Sequence, residues 1–286
     1  MPAFAVRSWL PGDIPELKEI FAASFGDLPE VVDAFYRAFL AGPETCVVAA
    51  VPDTEKPEGR AVAAGYVLPG PALRFSDTAS VPSVYLYALG CLPACRRRGY
   101  GMAVYRSMLA RGKSMAPAEC GIPASEALVQ VYDRIHPMVP LGRSRIAEMS
   151  RAGASGAEPL AVEHLSWEVY AGRREQWLGS HPHAVYPESY FRLSAEFGSL
   201  FLALPGALAA LIPLEGRCVV SELLCIGADP ARAVAGIAAA CPAEGYEIRT
   251  PAFFPGPGSL RRFAYYHDTA EPLPAPEDFW FPFGLE

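Results

Sequence analysis

The residues with the clearest chemical potential are Arg96-Arg97-Arg98-Gly99-Tyr100-Gly101, which follow an apolar, aromatic stretch closed by Pro93. Met102, Tyr105, Met108 and Leu109 then recur on one helical face, so the glycines stand between a strand and a helix start. Glycine there lets the backbone turn sharply and present consecutive N–H groups. With the positive end of the helix dipole, these form a cradle for phosphate oxygens. No Gly-Lys-Ser/Thr follows, which excludes a P-loop, and one Gly-x-Gly falls short of the dinucleotide fingerprint. A tight turn carrying a solvated arginine run is the alternative reading of the same residues.

Other reactive side chains are scattered. The seven cysteines (Cys46, Cys91, Cys95, Cys120, Cys218, Cys225 and Cys241) lie singly, mostly in apolar stretches, as reduced buried thiols do. Cys91 and Cys95 are four apart, but no second pair or nearby histidine completes a zinc site, and a strand thiol such as Cys91 is usually inert. His181 and His183 flank Pro182 without a carboxylate or cysteine cluster. His136 adjoins Pro137 at a helix end, and His164 and His267 lie near strands. No metal is expected, and no histidine reads as catalytic.

The elements that must position the glycine turn are legible from periodicity. Ile14, Leu17, Ile20 and Phe21 recur at helical spacing after Asp13, a cap, and Val31, Phe35 and Phe39 mark a second helix over 30–40. Strands follow over 45–51 and 61–68, joined by the polar loop 52–59. The stretch 84–92 is apolar throughout, as expected of a strand buried on both faces. The glycine-led helix runs to Lys113, and another over 123–135 places Leu128, Val131 and Ile135 on one face before Pro137 stops it.

Composition bounds the function. With 286 residues the chain makes one large or two modest domains, and 51% hydrophobic against 19% charged residues supplies a real core. The net charge of −7, with 96–98 as the sole basic cluster, excludes a nucleic-acid track and leans towards cationic substrates such as amines. The greasy stretch 200–214 is broken by Pro205, Gly206 and Pro213 and is shorter than the ~20 residues of a bilayer span. No basic segment followed by an apolar stretch opens the chain, so a cytoplasmic protein is expected. Oligomeric state leaves no mark in the sequence.

A strand, a proline, Arg96-Arg97-Arg98-Gly99-Tyr100-Gly101 and an amphipathic helix together resemble the acetyl-CoA pyrophosphate motif of the GNAT N-acetyltransferase superfamily. The opening Val6-Arg7 and Gly12-Asp13-Ile14 and the order of two helices and three strands are similar to the family's. The helix over 123–135 resembles the family's later helix, whose tyrosine lies near the CoA sulfur; here that is Tyr132.

The resemblance implies that backbone amides from Arg97 through Gly99 and Tyr100 to Met102 hold the pyrophosphate, with Arg96, Arg97 and Arg98 offering charge. It implies free amides at a splayed strand end comprising Leu89, Gly90, Cys91 and Leu92, one for the pantetheine arm and one to polarise the thioester carbonyl. Gly90 suits a bulge there. An amine of a small molecule or peptide would attack acetyl-CoA directly, with Tyr132 protonating the departing thiolate. The strand where the family often places a basic glutamate has only Tyr85 and Tyr87. Asp27, Glu30 and Asp33 are the alternatives, as is the terminal carboxylate after Glu286, by similarity to some larger relatives. A non-catalytic acyl-CoA sensor is the competing reading.

Beyond residue 138 the character changes. Residues 141–160 read as a polar linker, followed by helices over 169–178 and 188–197, strands over 200–204, 207–213 and 218–226, a helix over 230–241 and a strand over 246–249. This repeats the first half's order and resembles a second GNAT-like domain. The fold class is therefore α/β: two GNAT-like domains, each a mixed, mostly antiparallel sheet flanked by helices. Residues 1–140 would form the catalytic domain and 161–286 a degenerate one that completes the acceptor cleft. Gly227-Ala-Asp-Pro-Ala231 stands where the second cradle would be; Asp229 repels a pyrophosphate and reads as a cap before a first-turn proline. The aromatic tail (Phe263, Tyr265, Tyr266, Phe279, Trp280, Phe281 and Phe283) reads as closing strands and core rather than a stacking surface.

Overall fold

The computed structural model describes residues 4–40, 42–267, 273 and 277–282. The chain divides into two compact units, the first comprising Met1–Pro71, Pro82–Gly121 and Val131–His136. Its two leading helices, α1 (Ile14–Phe25) and α2 (Pro29–Phe39), follow from the apolar spacing. Gly26 ends α1 in the left-handed region at φ 77°, and Pro29, with no amide to lose, opens α2.

Five strands are hydrogen-bonded in the order β1 (Ala5–Ser8), β2 (Cys46–Val51), β3 (Arg60–Pro69), β4 (Ser83–Cys91) and β5 (Ala118–Gly121). All neighbours are antiparallel except β4 and β5, which are parallel and joined through helix α3 (Tyr100–Met115). Successive side chains of β3 point to opposite faces. Tyr66 meets Phe35 at 5.2 Å between ring centroids and hydrogen-bonds Tyr36 hydroxyl to hydroxyl at 2.9 Å. Gly65, its neighbour, leaves room for Met108 and Val104 of α3 where a Cβ would collide. The sheet thus lies between α1 and α2 on one face and α3 on the other.

Asp13 differs from expectation. Its side chain makes no cap bond to α1; it is fully buried and takes hydrogen bonds from Arg7 (2.6 and 2.9 Å), Lys56 (3.0 Å) and the Leu10 amide (2.8 Å). Burial alone would raise its pKa, but these donors outweigh it and hold the carboxyl below its usual range.

The second unit comprises Ala72–Val81, Ile122–Gln130 and Pro137–Glu286. Its main sheet is built from β6 (Arg143–Ser150), β7 (Glu163–Leu165), β8 (Leu200–Leu204), β9 (Ala207–Leu214), β10 (Arg217–Cys225), β11 (Gly245–Pro251) and β12 (Ser259–Arg262). The spatial order is β7-β8-β9-β10-β11-β6-β12. Strands β10 and β11 are parallel, from Arg217↔Gly245 to Val220↔Ile248, and the crossover is helix α7 (Pro230–Ala240). Helices α5 (Trp167–Leu178) and α6 (Glu188–Glu196) precede β8.

The stretch 141–160, expected as a linker, is a correction. Residues Arg143–Ser150 form β6, inserted between β11 and β12 and paired with β11 from Gly245↔Ser150 to Pro251↔Ser144. Its charged residues conceal the strand, because the stabilising contacts are main-chain hydrogen bonds that side-chain polarity does not report. A short helix, Arg151–Ala154, follows.

The tail supplies core side chains: Phe279, Trp280 and Phe281 are buried, and Trp280 bridges to His183. The strand there is Tyr265–His267, while Phe263 lies outside it and Phe283 outside the described residues. Trp280 donates its indole N–H to the buried Glu222 carboxylate, which also receives the Tyr170 hydroxyl and the Arg174 Nε. A buried charge so fully partnered is a structural feature of this unit's core.

Among the described residues no helix is long and apolar enough to cross a membrane, and no group of three or more His, Cys, Asp or Glu side chains is placed to hold a metal.

Candidate active site

The site of interest in the first unit begins where β4 and β5 part. They pair only at Ser83↔Ala118, Val84↔Glu119 and Tyr85↔Cys120, and Gly121 still lies against the Leu86 carbonyl. Beyond that point the edge of β4 turned away from β3 has lost its strand partner. Burial follows: 83–85 are buried, whereas 86–89 are half-buried rather than covered on both faces.

A bulge lies within this open stretch. Tyr87 faces Tyr66 and Gly90 faces Ala64, so Gly65 alone opposes both Ala88 and Leu89. Ala88 takes up the extra residue at φ 49°, a left-handed conformation that a residue with a Cβ adopts at a cost of order 1 kcal/mol. The bulge is thus one to two residues before Gly90. Gly90 serves a different need, for Ile20 and Ser24 of α1 pack so tightly on it that a Cβ would collide. Cys91 is half-buried, burial pushes its thiol pKa up, and it pairs with Ala63. The Leu92 amide is committed to the Val62 carbonyl at 3.0 Å.

After Pro93 the chain makes one tight turn, with the Cys95 amide on the Leu92 carbonyl at 2.8 Å. Arg96 folds back, donating from Nε to the Cys91 carbonyl (3.2 Å) and from Nη2 to the Ala23 carbonyl (3.4 Å). It therefore ties the strand end to the end of α1. Arg97 (φ 61°) and Gly99 (φ 87°) are both left-handed, and Gly99 is the cap of α3. Arg97 and Arg98 are exposed. Tyr100 is buried edge-on against Phe4 at 4.9 Å, anchoring the helix start.

Among the described residues, the amides of Arg97 to Met102 donate to no protein acceptor; the first helical bond is Ala103 N–H to Gly99 O at 3.0 Å. A Cβ on Gly99 or Gly101 would meet nothing within 4 Å, so the turn is open at both glycines. Alternating backbone conformations that leave amides unpaired at a positive helix terminus are the physical requirement for holding an anion. A diphosphate fits that requirement.

Helix α4 (Glu126–Asp133) brings Tyr132 onto Tyr105 of α3, stacked at 4.3 Å with an interplanar angle of 23°. Burial raises the Tyr132 pKa above its ordinary value, so the phenol stays protonated through neutral pH and is a donor. Of the three carboxylates on the α1–α2 side, Asp33 pairs with Lys18 at 2.5 Å and Glu30 is exposed. Asp27 is half-buried, and desolvation raises its pKa. It lies three residues after Ser24, which packs on Gly90. The carboxyl terminus after Glu286 lies outside the described residues.

Sequence reasoning passed over Ala88 and Glu119. The bulge at Ala88 depends on pairing register, which no local pattern carries. Glu119, on β5, is 2% exposed against the Gly112 region of α3, and its Oε1 has no hydrogen-bond partner. Burial pushes its pKa up to about 7, against the weaker opposing pull of Lys113. The folded chain therefore keeps this proton from about pH 4.3 to 7 while the unfolded chain releases it, and stability falls across that window as pH rises. Glu119→Gln removes the penalty. Thermal denaturation should show the variant more stable by up to about 3 kcal/mol at pH 8, with the gain vanishing near pH 4.

No protein-family model and no curated protein matches the sequence. Solved structures do. A GCN5-related N-acetyltransferase from Kribbella flavida is similar at TM-score 0.65 and 16% identity, over 92% of this chain and 71% of that one. A GCN5-related N-acetyltransferase from Anabaena variabilis is similar at TM-score 0.64 and 12% identity, over 92% and 72%. Eis1 from Mycobacterium abscessus is similar at TM-score 0.59 and 15% identity, over 93% and 73%. The chain shares the fold of these GCN5-related N-acetyltransferase structures: mixed sheets flanked by helices, with a parallel strand pair that parts beside a helix start. The second unit has its own parallel pair, β10 and β11, joined through the same kind of crossover helix, α7.

Proposed function

We infer that this chain is an acetyl-CoA-dependent N-acetyltransferase acting on a primary amine of a small molecule or peptide. The observation that carries the reading is the open row of unpaired amides from Arg97 to Met102 beside the parted strands. Acetyl-CoA supplies an acetyl group activated as a thioester; the amide bond forms as the carbon–sulfur bond breaks. The 97–102 amides and the exposed Arg97 and Arg98 hold the diphosphate. The bulged backbone at Ala88 and Leu89 presents N–H groups towards a carbonyl oxygen that gains negative charge. Asp27 accepts the proton of the incoming ammonium, its raised pKa making it a better base. Tyr132 gives a proton to the departing sulfur.

Residues 1–140 carry this chemistry. In 161–286 the corresponding helix start is capped by Asp229, which accepts the Ala231 amide at 2.9 Å, and Pro230 offers no N–H. That arrangement suits no diphosphate. The net charge of −7 favours cationic acceptors.

The test is a panel of primary amines with acetyl-CoA, read by thiol release. Release should rise with pH as Asp27 loses its proton, and Asp27→Asn should remove that limb of the profile. CoA binding with no thiol release for any amine would make the chain a sensor and overturn the transferase reading.

A further inference from the structure

The second unit contains a groove of about 710 Å³ whose walls include Arg145 and Met149 of β6, Val234 of α7 and Pro255. Its size is that of a small-molecule site, which typically spans ~300–1,000 Å³. It lies beside the start of α7, the crossover helix that follows β10. There β10 and β11 part after Val220↔Ile248, as β4 and β5 do in the first unit.

Arg145 is the unusual member of the wall. It is half-buried, its buried Nε has no hydrogen-bond partner, and no ion pair involves its side chain among the described residues. A guanidinium held partly out of water without a counter-charge is costly, and its planar fork matches a carboxylate. Thr250, directly opposite Arg145 in the strand pairing, is fully buried, and its Oγ1 likewise has no partner; it lies against Gly256, another wall residue. The remaining lining is apolar apart from Asp229 at the rim. That carboxylate, with Pro230 and the occupied Ala231 amide, disfavours a polyphosphate and leaves Arg145 as the one cationic side chain of the lining.

We propose that this groove binds a small aliphatic monocarboxylate, its carboxylate on Arg145 and its hydrocarbon along Met149, Val234 and Pro255. The site is separate from acyl transfer and stands or falls without it.

The test is calorimetric titration of the full chain with hexanoate, hexylamine and hexanol. Hexanoate should bind one per chain, and the amine and alcohol of equal length should not. Arg145→Gln should weaken hexanoate by about tenfold to a hundredfold, the usual worth of a charge-assisted hydrogen bond. Ala231→Trp, an exposed rim substitution that fills the groove, should abolish binding and decides the matter should Arg145→Gln not fold. Binding should be unchanged in Gly101→Glu, which alters the first unit's cradle. Absence of hexanoate binding, equal binding of hexylamine or hexanol, or hexanoate binding that survives Ala231→Trp would overturn the proposal.

Discussion

Gly101→Glu should abolish binding of CoA while the chain folds as before. The expectation rests on two observations that pull apart stability and affinity. A Cβ at Gly101 meets nothing within 4 Å, and Gly101 is not among the residues with a left-handed backbone, so the fold tolerates a side chain there. The same open space is what the diphosphate needs. A carboxylate placed in it fills the cradle and sets like charge against like, a juxtaposition that costs several kcal/mol and hence about a hundredfold or more in affinity. Titration calorimetry with CoA, beside a thermal melt, reads both quantities. An unchanged dissociation constant would refute the cradle. Gly101→Ala supplies the control: without charge, and with room for its methyl, it should bind CoA much more nearly as the parent does.

Tyr132→Phe should lower kcat by about a hundredfold to ten-thousandfold, the range in which a positioned proton donor contributes, and leave CoA affinity unchanged. Phenylalanine keeps the ring that stacks on Tyr105 at 4.3 Å, so the packing of α4 on α3 survives and only the hydroxyl is removed. Because burial raises the Tyr132 pKa, the parent should hold its donor across neutral pH. Any bell in the pH profile below that range therefore reports another group, with Asp27 the candidate on the rising limb. Full activity in Tyr132→Phe would remove the residue from the reaction. The two variants together separate binding from turnover, since one should lose CoA and the other keep it.

How far the site could be read in advance varies residue by residue. The turn before α3 was legible because its requirements are local. Glycine at 99 and 101, an arginine run and an amphipathic repeat from Met102 onward announce a strand-to-helix corner without reference to the rest of the molecule. Periodicity gives the helix around Tyr132 and its stop at Pro137, while Tyr132 itself is singled out only by the resemblance to the family's later helix. Arg96 was not legible: three adjacent arginines look alike on paper. Which of them turns back to the Cys91 and Ala23 carbonyls depends on where α1 ends beside β4.

Spacing and residue type carried the helices, the strand-rich order of both halves and the glycine corner, since φ preference and hydrophobic period act over a few neighbours. Pairing between distant segments settled the rest. It made Ala88 the bulged residue, because one residue of β3 faces two of β4. It turned the polar stretch 143–150 into a strand beside β11. It buried Glu119 against α3 and drew Asp13 into a cluster with Arg7 and Lys56 instead of a helix cap. Register and burial are properties of the whole packed chain, and a carboxylate's neighbours, hence its proton, come with them.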